Sequence, residues 1–473
     1  MSIIPIMKRM LPIYLSVSFL LLSFSGYSQN RTQFAVRNVN VITMTSPNNV
    51  INNATILITG NLIETINGGI PKNAKVIDGK GMWLIPGLVD MHVHLPTDAY
   101  FGKKLPAMAP DFTFNLQDIM TPIIANGVTT VLDLEAKMET FGQKKQIDNG
   151  TVIGPRIALA ALINGGAGQG RVANTAEEGR FAVAMAKAEG YDFIKLYSNL
   201  NIETFNAIID EANKRGIKTI GHIPNSFRDK LEKAFVPNFG MVAHAEEFSK
   251  HSEKFDIQDA KRFAKLAKDN GTWLTPTLTA MVWIAKQTQS IDDIKKSTSL
   301  QYVHPLLQSK WLNANNYVKN ATPERAVHFD SMVEFHFQLV KAFKEAGVPI
   351  VAGTDAGVSG VVAGFSLHDE MRLLVEAGLT PEEALRSATF LPAQWLGIEK
   401  YIGTIEPGKF ADLVLLEGNP MIDIKNIQKI AGVFVNGKWL NKATMGAMLS
   451  DLSKRNTAAK DKFDWKTTVN KKR

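Results

Sequence analysis

The sequence predicts an α/β protein, a (β/α)8 TIM barrel that carries a small β-sandwich domain formed by both ends of the chain. Its 473 residues exceed the usual size of a single core, so a large domain with a smaller companion is expected. The central part alternates apolar strands with helical stretches, which is the pattern of parallel βα units. Short strands with hairpin turns occur near both ends instead, which indicates a second sheet built from two distant segments.

The smaller domain is predicted over residues 31–86 together with 400–442. Its first part contains the runs FAVRNVNVITM, TILITGNLIETI and AKVIDGKGMWLI, with Gly-Asn and Asp-Gly at the turns. Its second part contains FADLVLLEGN and AGVFVNGKWL, where Asn436 and Gly437 give a strong signal for a two-residue hairpin. These two β segments of like character are expected to form one domain.

The barrel is predicted over residues 87–399. Eight strands close such a barrel, and we expect them at 84–94, 127–134, 155–163, 193–198, 217–223, 241–247, 273–278 and 349–357. Helical periodicity fits between them, as in NIETFNAIIDEANKRG, where Gly216 is a stop. A doubly wound open sheet is the alternative, but it usually has fewer strands and a glycine-rich phosphate loop, which is missing after the first strand here.

A long insertion separates the predicted seventh and eighth strands. It spans about 70 residues and contains several aromatic side chains, namely Trp283, Tyr302, Trp311 and Tyr317. An insertion on the βα side of a barrel tends to cover the active site. An extra pair of surface helices is the equally open alternative.

The two termini differ from the rest of the chain in composition. Residues 1–28 combine Lys8 and Arg9 with the apolar run LPIYLSVSFLLLSF, which predicts a secretory signal peptide, with an uncleaved N-terminal anchor as the alternative. We therefore expect a periplasmic or secreted protein with no stable membrane span after cleavage. Residues 443–473 form a basic C-terminal tail that is expected to be solvated.

Composition narrows the classes of partner and ligand. The formal net charge is +8, but basic and aromatic residues do not alternate along a strand, so no nucleic-acid partner is expected. The chain has no cysteine, which excludes disulfides and thiolate metal ligands. A metal site must therefore use histidine, carboxylates or an unusual ligand. The sequence is also compatible with a homo-oligomer.

The candidate site residues lie where the predicted barrel strands end. The chemistry of such barrels is found at this edge because the βα loops converge there. The first strand ends in His92 and His94, whose spacing of two places both side chains on the same face. The other strand ends carry Lys195 on the fourth strand, His222 on the fifth, His244 on the sixth and Asp355 on the eighth.

Each of these residues alone has an ordinary explanation. A lone strand histidine is more often a satisfied core residue than a ligand, and Asp355 fits a turn or a helix cap. Lys195 is harder to explain, because a cation between Ile194 and Leu196 is costly unless its charge is altered or paired. The joint occurrence of all these groups at one end of a barrel predicts a metal site.

A site for two divalent metal ions would explain the lysine. Imidazole and carboxylate ligands suit zinc, the ion we expect, and also manganese, iron or cobalt. Two cations about 3.5–4 Å apart repel one another and need a bridging anion. A neutral lysine can take up carbon dioxide, and a carbamate on Lys195 would supply that anion.

Several stretches resemble the amidohydrolase superfamily, and within it the imidazolonepropionase-like and Xaa-Pro dipeptidase (prolidase)-like metal-dependent hydrolases. They extend from about residue 35 to 440 and comprise GLVDMHVH, GVTTVLDL, FIKLYSN, GHIPNS, VAHAEEF, AGTDAG, LHDEMRLLVEAGLTPEEALRSAT and GTIEPGKFADLVLLEGNP. The resemblance implies one metal bound by His92, His94 and Asp355, a more exposed metal bound by His222 and His244, and carbamylated Lys195 bridging both. It also implies attack of a bridging hydroxide on the substrate carbonyl, with Asp355 moving the proton to the leaving nitrogen.

The predicted activity is hydrolysis of a C–N bond in a small amide or peptide substrate, such as a dipeptide or an N-acyl amino acid. Tyr197 is a second candidate catalytic residue, as a donor to the tetrahedral intermediate, with a packing role as the alternative. Arg171 is either a partner for a substrate carboxylate or a plain surface arginine. Four further histidines are interpreted as ordinary helix or loop residues: His251, His304, His328 and His336.

Two rival functions stay open. Imidazolonepropionase-like cyclic amidases and many deaminases of the superfamily use one metal and lack the bridging lysine, so Lys195 favours the two-metal hydrolase. A non-catalytic binding protein on the same fold is the rival from another class.

Overall fold

The computed structural model describes residues 32–96, 113–167 and 169–470. The predicted signal peptide lies outside these ranges and stays a prediction. Within them, no helix combines the length and the apolar character that a membrane crossing needs.

The described strands fall into three groups along the chain. The smaller domain begins with β1 (Gln33–Ile42), β2 (Val50–Thr59), β3 (Leu62–Ile66), β4 (Lys75–Asp78) and β5 (Trp83–Pro86). The barrel region contains β6 (Leu88–Val93), β7 (Val128–Asp133), β8 (Arg156–Asn164), β9 (Arg171–Val172), β10 (Phe193–Leu196), β11 (Lys218–Gly221), β12 (Met241–Ala243) and β13 (Trp273–Thr275). The chain then returns to the smaller domain with β14 (Leu413–Leu416), β15 (Ile430–Val435) and β16 (Lys438–Asn441).

Helices connect the barrel strands, fill the insertion and end the chain. They are α1 (Leu116–Ala125), α2 (Met138–Asp148), α3 (Ala176–Glu189), α4 (Ile202–Lys214), α5 (Glu246–Ser249), α6 (Ile257–Asp269), α7 (Leu278–Gln289), α8 (Asp292–Lys296), α9 (Pro305–Asn313), α10 (Asn316–Lys319), α11 (Pro323–Glu345), α12 (Phe365–Glu376), α13 (Pro381–Ser387), α14 (Phe390–Leu396), α15 (Lys442–Ala459) and α16 (Trp465–Asn470). Short 3-10 helices lie at Asn225–Phe227, Leu231–Ala234, Thr298–Tyr302, Ile424–Gln428 and Lys460–Lys462. Many of the α-helices begin at an N-cap residue whose side chain accepts a backbone N–H. In α3, for example, Thr175 and Glu178 form a capping box.

The smaller domain is one mixed sheet that both ends of the chain build, as the sequence predicts. Its strand order is β16-β15-β14-β5-β1-β2-β3, with β4 paired to β1. The two ends of the chain meet where β14 pairs antiparallel with β5, with Leu413 opposite Pro86. A separate apolar cluster, which includes Val41, Ile56 and Phe434, forms the core of this domain.

The barrel sheet consists of parallel strands in the order β13-β12-β11-β10-β8-β7-β6, with the short β9 paired to β8. The seven predicted strands from 84–94 to 273–278 are present, except that the first is divided: β5 belongs to the smaller domain and β6 to the barrel. An apolar cluster that draws Val89, Leu132, Phe193 and Ile220 from four of these strands lies inside the barrel.

The eighth predicted strand, 349–357, is not a regular strand, and the expectation is corrected in this respect. It still joins the two edges of the sheet, because Ile350 forms a parallel bridge with Leu274 of β13 and Ala356 forms one with Val93 of β6. Asp355 has a φ of 58°, which is incompatible with a continuous extended strand. The barrel is therefore closed by a bent segment rather than by an eighth strand.

The C-terminal tail also differs from the expectation of a solvated end. Residues Lys442–Ala459 form α15, in which Leu452 is only 1% exposed. The Asn456 amide donates to the carbonyl oxygens of Gln301 and Val303 at 2.9 and 3.1 Å. This helix therefore packs on the insertion and buries its apolar residues there. The sequence pattern does not identify the partner surface, so this packing was not expected.

Replacement of Leu452 by alanine should lower the free energy of unfolding by about 2–5 kcal/mol, the usual cost of removing a buried leucine side chain. Urea denaturation monitored by circular dichroism would measure it. Lys454→Ala on the same helix is the matched control and should change stability by less than about 0.5 kcal/mol, because its side chain is 75% exposed. Equal, negligible effects of both variants would mean that α15 does not pack on the insertion.

Candidate metal centre

Three of the predicted ligands converge at the end of β6. Asp355 Oδ1 lies 3.1 Å from His92 Nε2 and 3.0 Å from His94 Nε2, and the two nitrogens are 3.3 Å apart. One ligand atom from each of the three residues lies within 4.8 Å of the other two. This cluster has the donor types and the compactness that a divalent metal ion needs.

The carboxylate of Asp90 holds the two segments of this cluster together. Its Oδ1 accepts the N–H groups of His92 and Thr354 at 3.2 and 3.0 Å, and its Oδ2 accepts the Thr354 hydroxyl at 2.7 Å. Burial raises the pKa of Asp90 to about 7. Gly353 allows the close approach, since an added Cβ would meet His92 Cβ at 3.0 Å. Strand β6 and the closing segment are thereby fixed to each other.

Hydrogen bonds to Nδ1 orient the other two predicted histidine ligands. His222 Nδ1 lies 2.6 Å from Glu247 Oε1, and His244 Nδ1 lies 2.8 Å from Thr277 Oγ1. The ring centroids of His222 and His244 are 4.8 Å apart, and His244 lies 4.6 Å from His92. In both residues Nε2 is the remaining nitrogen and is available to a metal.

Glu247 sits behind His222 as a fully buried carboxylate. Besides His222 it accepts the amine of Lys250 at 2.6 Å and the N–H of Ile223 at 3.0 Å. Burial alone would raise the pKa of Glu247, but His222 and Lys250 lower it to about 2. An ionised Glu247 favours a proton on Nδ1 of His222, which leaves the lone pair on Nε2.

Lys195 is buried in the same cavity, with 1% of its surface exposed. Its Nζ has no hydrogen-bond partner among the described residues. Burial lowers the pKa of Lys195 to about 8, against the opposing effect of Asp355. A neutral amine is the form that takes up carbon dioxide, and a carbamate would provide two oxygen ligands at this position. The residues present therefore fit a metal centre that includes a modified lysine.

The protonation states of the neighbouring groups also suit metal binding. Burial and the charge of Lys195 lower the pKa of His92 to about 3, and burial with the charge of His92 lowers that of His244 well below its usual value. Burial opposes ionisation of Asp355, but His92 and His244 hold its pKa well below the usual range. His92 and His244 are thus neutral and Asp355 is ionised, which are the states that coordinate metals. Burial opposes a proton on His94, but Asp355 and Glu135 outweigh burial and raise the pKa of His94.

A cavity of about 270 Å³ borders these groups, and the insertion forms one of its walls. The insertion contributes Ala280, Met281 and Ile284 from α7, Tyr317 from α10 and His336 from α11. The structure therefore favours an insertion that covers the site over plain surface helices. A volume of this size lies near the lower end of the range for small-molecule sites, which suits a small substrate.

Glu370 fixes the start of α7 in this wall. Its two carboxylate oxygens accept the N–H groups of Leu278 and Thr279 at 3.0 and 2.7 Å. The preceding residue, Thr277, is the hydrogen-bond partner of His244 and has a φ of 51°. Burial raises the pKa of Glu370 to about 8. Glu370 thus supports both α7, which lines the cavity, and the orientation of the predicted ligand His244.

The two candidate substrate-binding residues have different positions. Tyr197 lines the cavity, with its ring 4.4 Å from that of His222, and burial raises the pKa of Tyr197 to about 12, so its hydroxyl remains a donor. Arg171 instead forms an ion pair with Glu189 and lies over the ring of Tyr191. The structure thus favours a structural role for Arg171.

Sequence reasoning missed Asp90, Glu247, Glu370 and His336. The sequence does carry a signal for Asp90, because an acid within the apolar run LVDMHV is as costly as Lys195 between two apolar residues. Glu247 stands beside Glu246, and no local signal shows which of the two points inward. His336 was interpreted as an ordinary helix histidine, but it lines the cavity.

Comparison with known proteins agrees with this geometry. The family model described as Amidohydrolase family matches residues 83–440. The chain is 24% identical to ochratoxinase of Aspergillus niger over 377 residues, which are 75% of each protein. It is 23% identical over 408 residues to imidazolonepropionase of Thermoplasma volcanium, covering 82% of this chain and 90% of that protein. A shorter match, 30% identical over 95 residues, spans 15% of adenine deaminase 2 of Jannaschia sp..

Among solved structures, a Xaa-Pro dipeptidase with bound methionine in the active site has the same fold. The TM-score is 0.64 at 24% identity, with 87% of this chain and 100% of the dipeptidase covered. The family model spans more than half of the sequence and contains every residue of the metal centre described above. The chain therefore belongs to the amidohydrolase family, whose members are hydrolases that act on carbon–nitrogen bonds.

Proposed function

We propose that the protein hydrolyses the C–N bond of a small amide, such as a dipeptide or an N-acyl amino acid, with two divalent metal ions. Zinc is the proposed ion, and Lys195 carries a carbamate. The observation that carries this proposal is the buried Lys195 amine, which lacks a partner among the described residues and shares one cavity with the imidazole ligands. The likeness to a Xaa-Pro dipeptidase supports a substrate of dipeptide size.

The ligands divide into two sets. His92, His94 and Asp355 would hold one ion, and His222 with His244 would hold the other. The second set has only two histidines, so a carbamate on Lys195 would complete it while contributing to the first. Bound divalent ions would polarise the scissile carbonyl and lower the pKa of a water towards about 7.

Asp355 is the proposed proton carrier. Its Oδ1 faces the Nε2 atoms of His92 and His94, whereas Oδ2 lies 4.0 Å from His244 Nδ1 and is the less engaged oxygen. Oδ2 therefore accepts the proton of the attacking water and delivers it to the leaving nitrogen. The Tyr197 hydroxyl donates to the substrate oxygen as that atom gains negative charge.

A mononuclear cyclic amidase or deaminase is the second candidate. The matches to an imidazolonepropionase and to an adenine deaminase favour it, and the His92, His94 and Asp355 cluster alone has enough ligands for one ion. A one-metal enzyme gives no role to the buried Lys195 amine, which is why the two-metal hydrolase is preferred.

Metal content and substrate range together test the proposal. Protein loaded with zinc should contain close to two ions per chain by plasma mass spectrometry and should hydrolyse members of a dipeptide and N-acyl amino acid library. Chelation should abolish this activity, and added zinc should restore it. One ion per chain with turnover of cyclic amides or aminopurines would support the second candidate. Full loading without turnover of any substrate would favour a binding protein.

Replacement of Lys195 by alanine tests the carbamate. We expect the zinc content to fall to about one ion per chain or less, and kcat/KM to fall by more than about a hundredfold, because the bridging ligand is removed. Lys214→Ala is the matched control, since that side chain is 61% exposed. Normal activity with two ions in Lys195→Ala would rule the carbamate out.

Replacement of Glu247 by glutamine should weaken binding of the more exposed ion. The amide cannot hold the Nδ1–H tautomer of His222 as strongly, and loss of such support typically costs 10- to 100-fold in metal affinity or activity. Competition with a metal-binding dye measures the affinity. Glu253→Gln, on the exposed surface, should leave it unchanged. Identical affinities in the two variants would contradict the role of Glu247 in holding His222 for metal binding.

A further inference from the structure

His336 lines the cavity of the metal centre without belonging to either set of ligands. It lies on α11 in the insertion and is 1% exposed. Ser249, at the end of α5, forms a hydrogen bond with the His336 ring, and its Oγ lies 2.7 Å from His336 Nε2. This pair therefore connects the insertion to the segment that follows β12.

The second ring nitrogen of His336 is left without a partner. Nδ1 is fully buried and makes no hydrogen bond to any residue in the described ranges. Unpaired buried polar atoms are rare in folded proteins and call for an explanation such as a bound molecule. His336 is one of the residues that line the cavity, so a molecule bound there would lie beside its ring.

The donors and acceptors of His336 and Ser249 show which kind of hydrogen-bond partner Nδ1 requires. Burial lowers the pKa of His336 to about 3, so the ring is neutral and carries one proton. The only described partner of the Ser249 hydroxyl is Nε2 of His336, so the buried hydroxyl satisfies its proton by donating it there. The imidazole proton is then on Nδ1, which donates to an oxygen acceptor.

The charges of the cavity wall decide between a carboxylate and a neutral oxygen. Glu246 lines the same cavity, whereas Lys195 at the metal centre is the single lysine or arginine among the described lining residues. Arg171 is paired with Glu189 elsewhere. A free carboxylate near His336 would therefore meet an acidic group and no counter-ion in this wall.

We propose that His336 Nδ1 donates a hydrogen bond to an uncharged carbonyl oxygen in the non-reacting part of the substrate. His336 is then a specificity-determining residue: within the proposed class of small amides it favours those with a second, neutral carbonyl over dipeptides and N-acyl amino acids that carry a free carboxylate. This inference rests on the proposed amide hydrolysis and names its substrate class.

A matched pair of substrates tests it, namely a dipeptide with a free carboxylate and the same dipeptide as its C-terminal amide. The wild-type protein should have the higher kcat/KM for the dipeptide amide. His336→Phe should raise KM for the amide about tenfold, keep kcat within about twofold and raise KM for the free dipeptide by a smaller factor. His336→Asn should recover part of the loss, because its side-chain N–H lies near the position of Nδ1.

His328→Asn, an exposed position on the same helix, is the matched control and should behave as wild type. Since His336→Phe leaves the Ser249 hydroxyl unpaired, the double variant Ser249→Ala/His336→Phe checks folding by its melting temperature and should show the same rise in KM. An unchanged KM for the amide in both variants, or a preference of the wild type for the free dipeptide, would overturn the inference and leave the proposed hydrolysis intact.

Direct binding separates this inference from the proposed function. The aminomethylene analogue of the dipeptide amide, in which the scissile carbonyl is replaced by CH2, should bind wild type about tenfold more tightly than His336→Phe by calorimetry. That result would support the role of His336 even if no amide were hydrolysed. Equal affinities would contradict it.

Discussion

The buried carboxylate of Asp90 is the interaction on which the site depends. It accepts hydrogen bonds from the backbone of His92 and from both donors of Thr354, and so joins the first barrel strand to the segment that closes the sheet. That segment is not a regular strand and forms only part of the backbone hydrogen bonds that join neighbouring strands. The side-chain hydrogen bonds of Asp90 and the close approach at Gly353 hold it in place instead. Because of this junction, Asp355 reaches the imidazoles of His92 and His94 in spite of its left-handed backbone.

A second layer of buried polar groups sets the orientation of the remaining ligands. Glu247 fixes the tautomer of His222 through a hydrogen bond to Nδ1. Thr277 forms a hydrogen bond with Nδ1 of His244, and it directly precedes α7, whose first N–H groups are bound by Glu370. Each of these carboxylates is fully buried, and each has its oxygens satisfied by hydrogen bonds. The Lys195 amine stands out against this background, since it is the buried cation that the described residues leave without a hydrogen-bond partner. A carbamate would turn that costly amine into an anionic ligand.

The insertion gives this barrel a cavity with a wall that the barrel strands do not provide. Its helices contribute an apolar side through Met281 and Ile284 and a polar side through Tyr317 and His336. In barrels of this type the framework sets the position of the chemistry, while the loops set the shape and charge of the space beside it. The specificity of this protein is therefore expected to reside in residues 278–345 rather than in the strands.

The amino-acid sequence was enough to predict the order of the barrel strands, the composite sheet and the six polar residues at strand ends, because these follow from periodicity and from the cost of a charge in an apolar strand. It did not determine the bend at Asp355, the packing of α15 or the inward side of the Glu246 and Glu247 pair. It also did not reveal the meeting of His336 with Ser249, which are 87 positions apart. These features become evident in the folded molecule, since each depends on contacts between distant segments that leave no periodic signal in the chain.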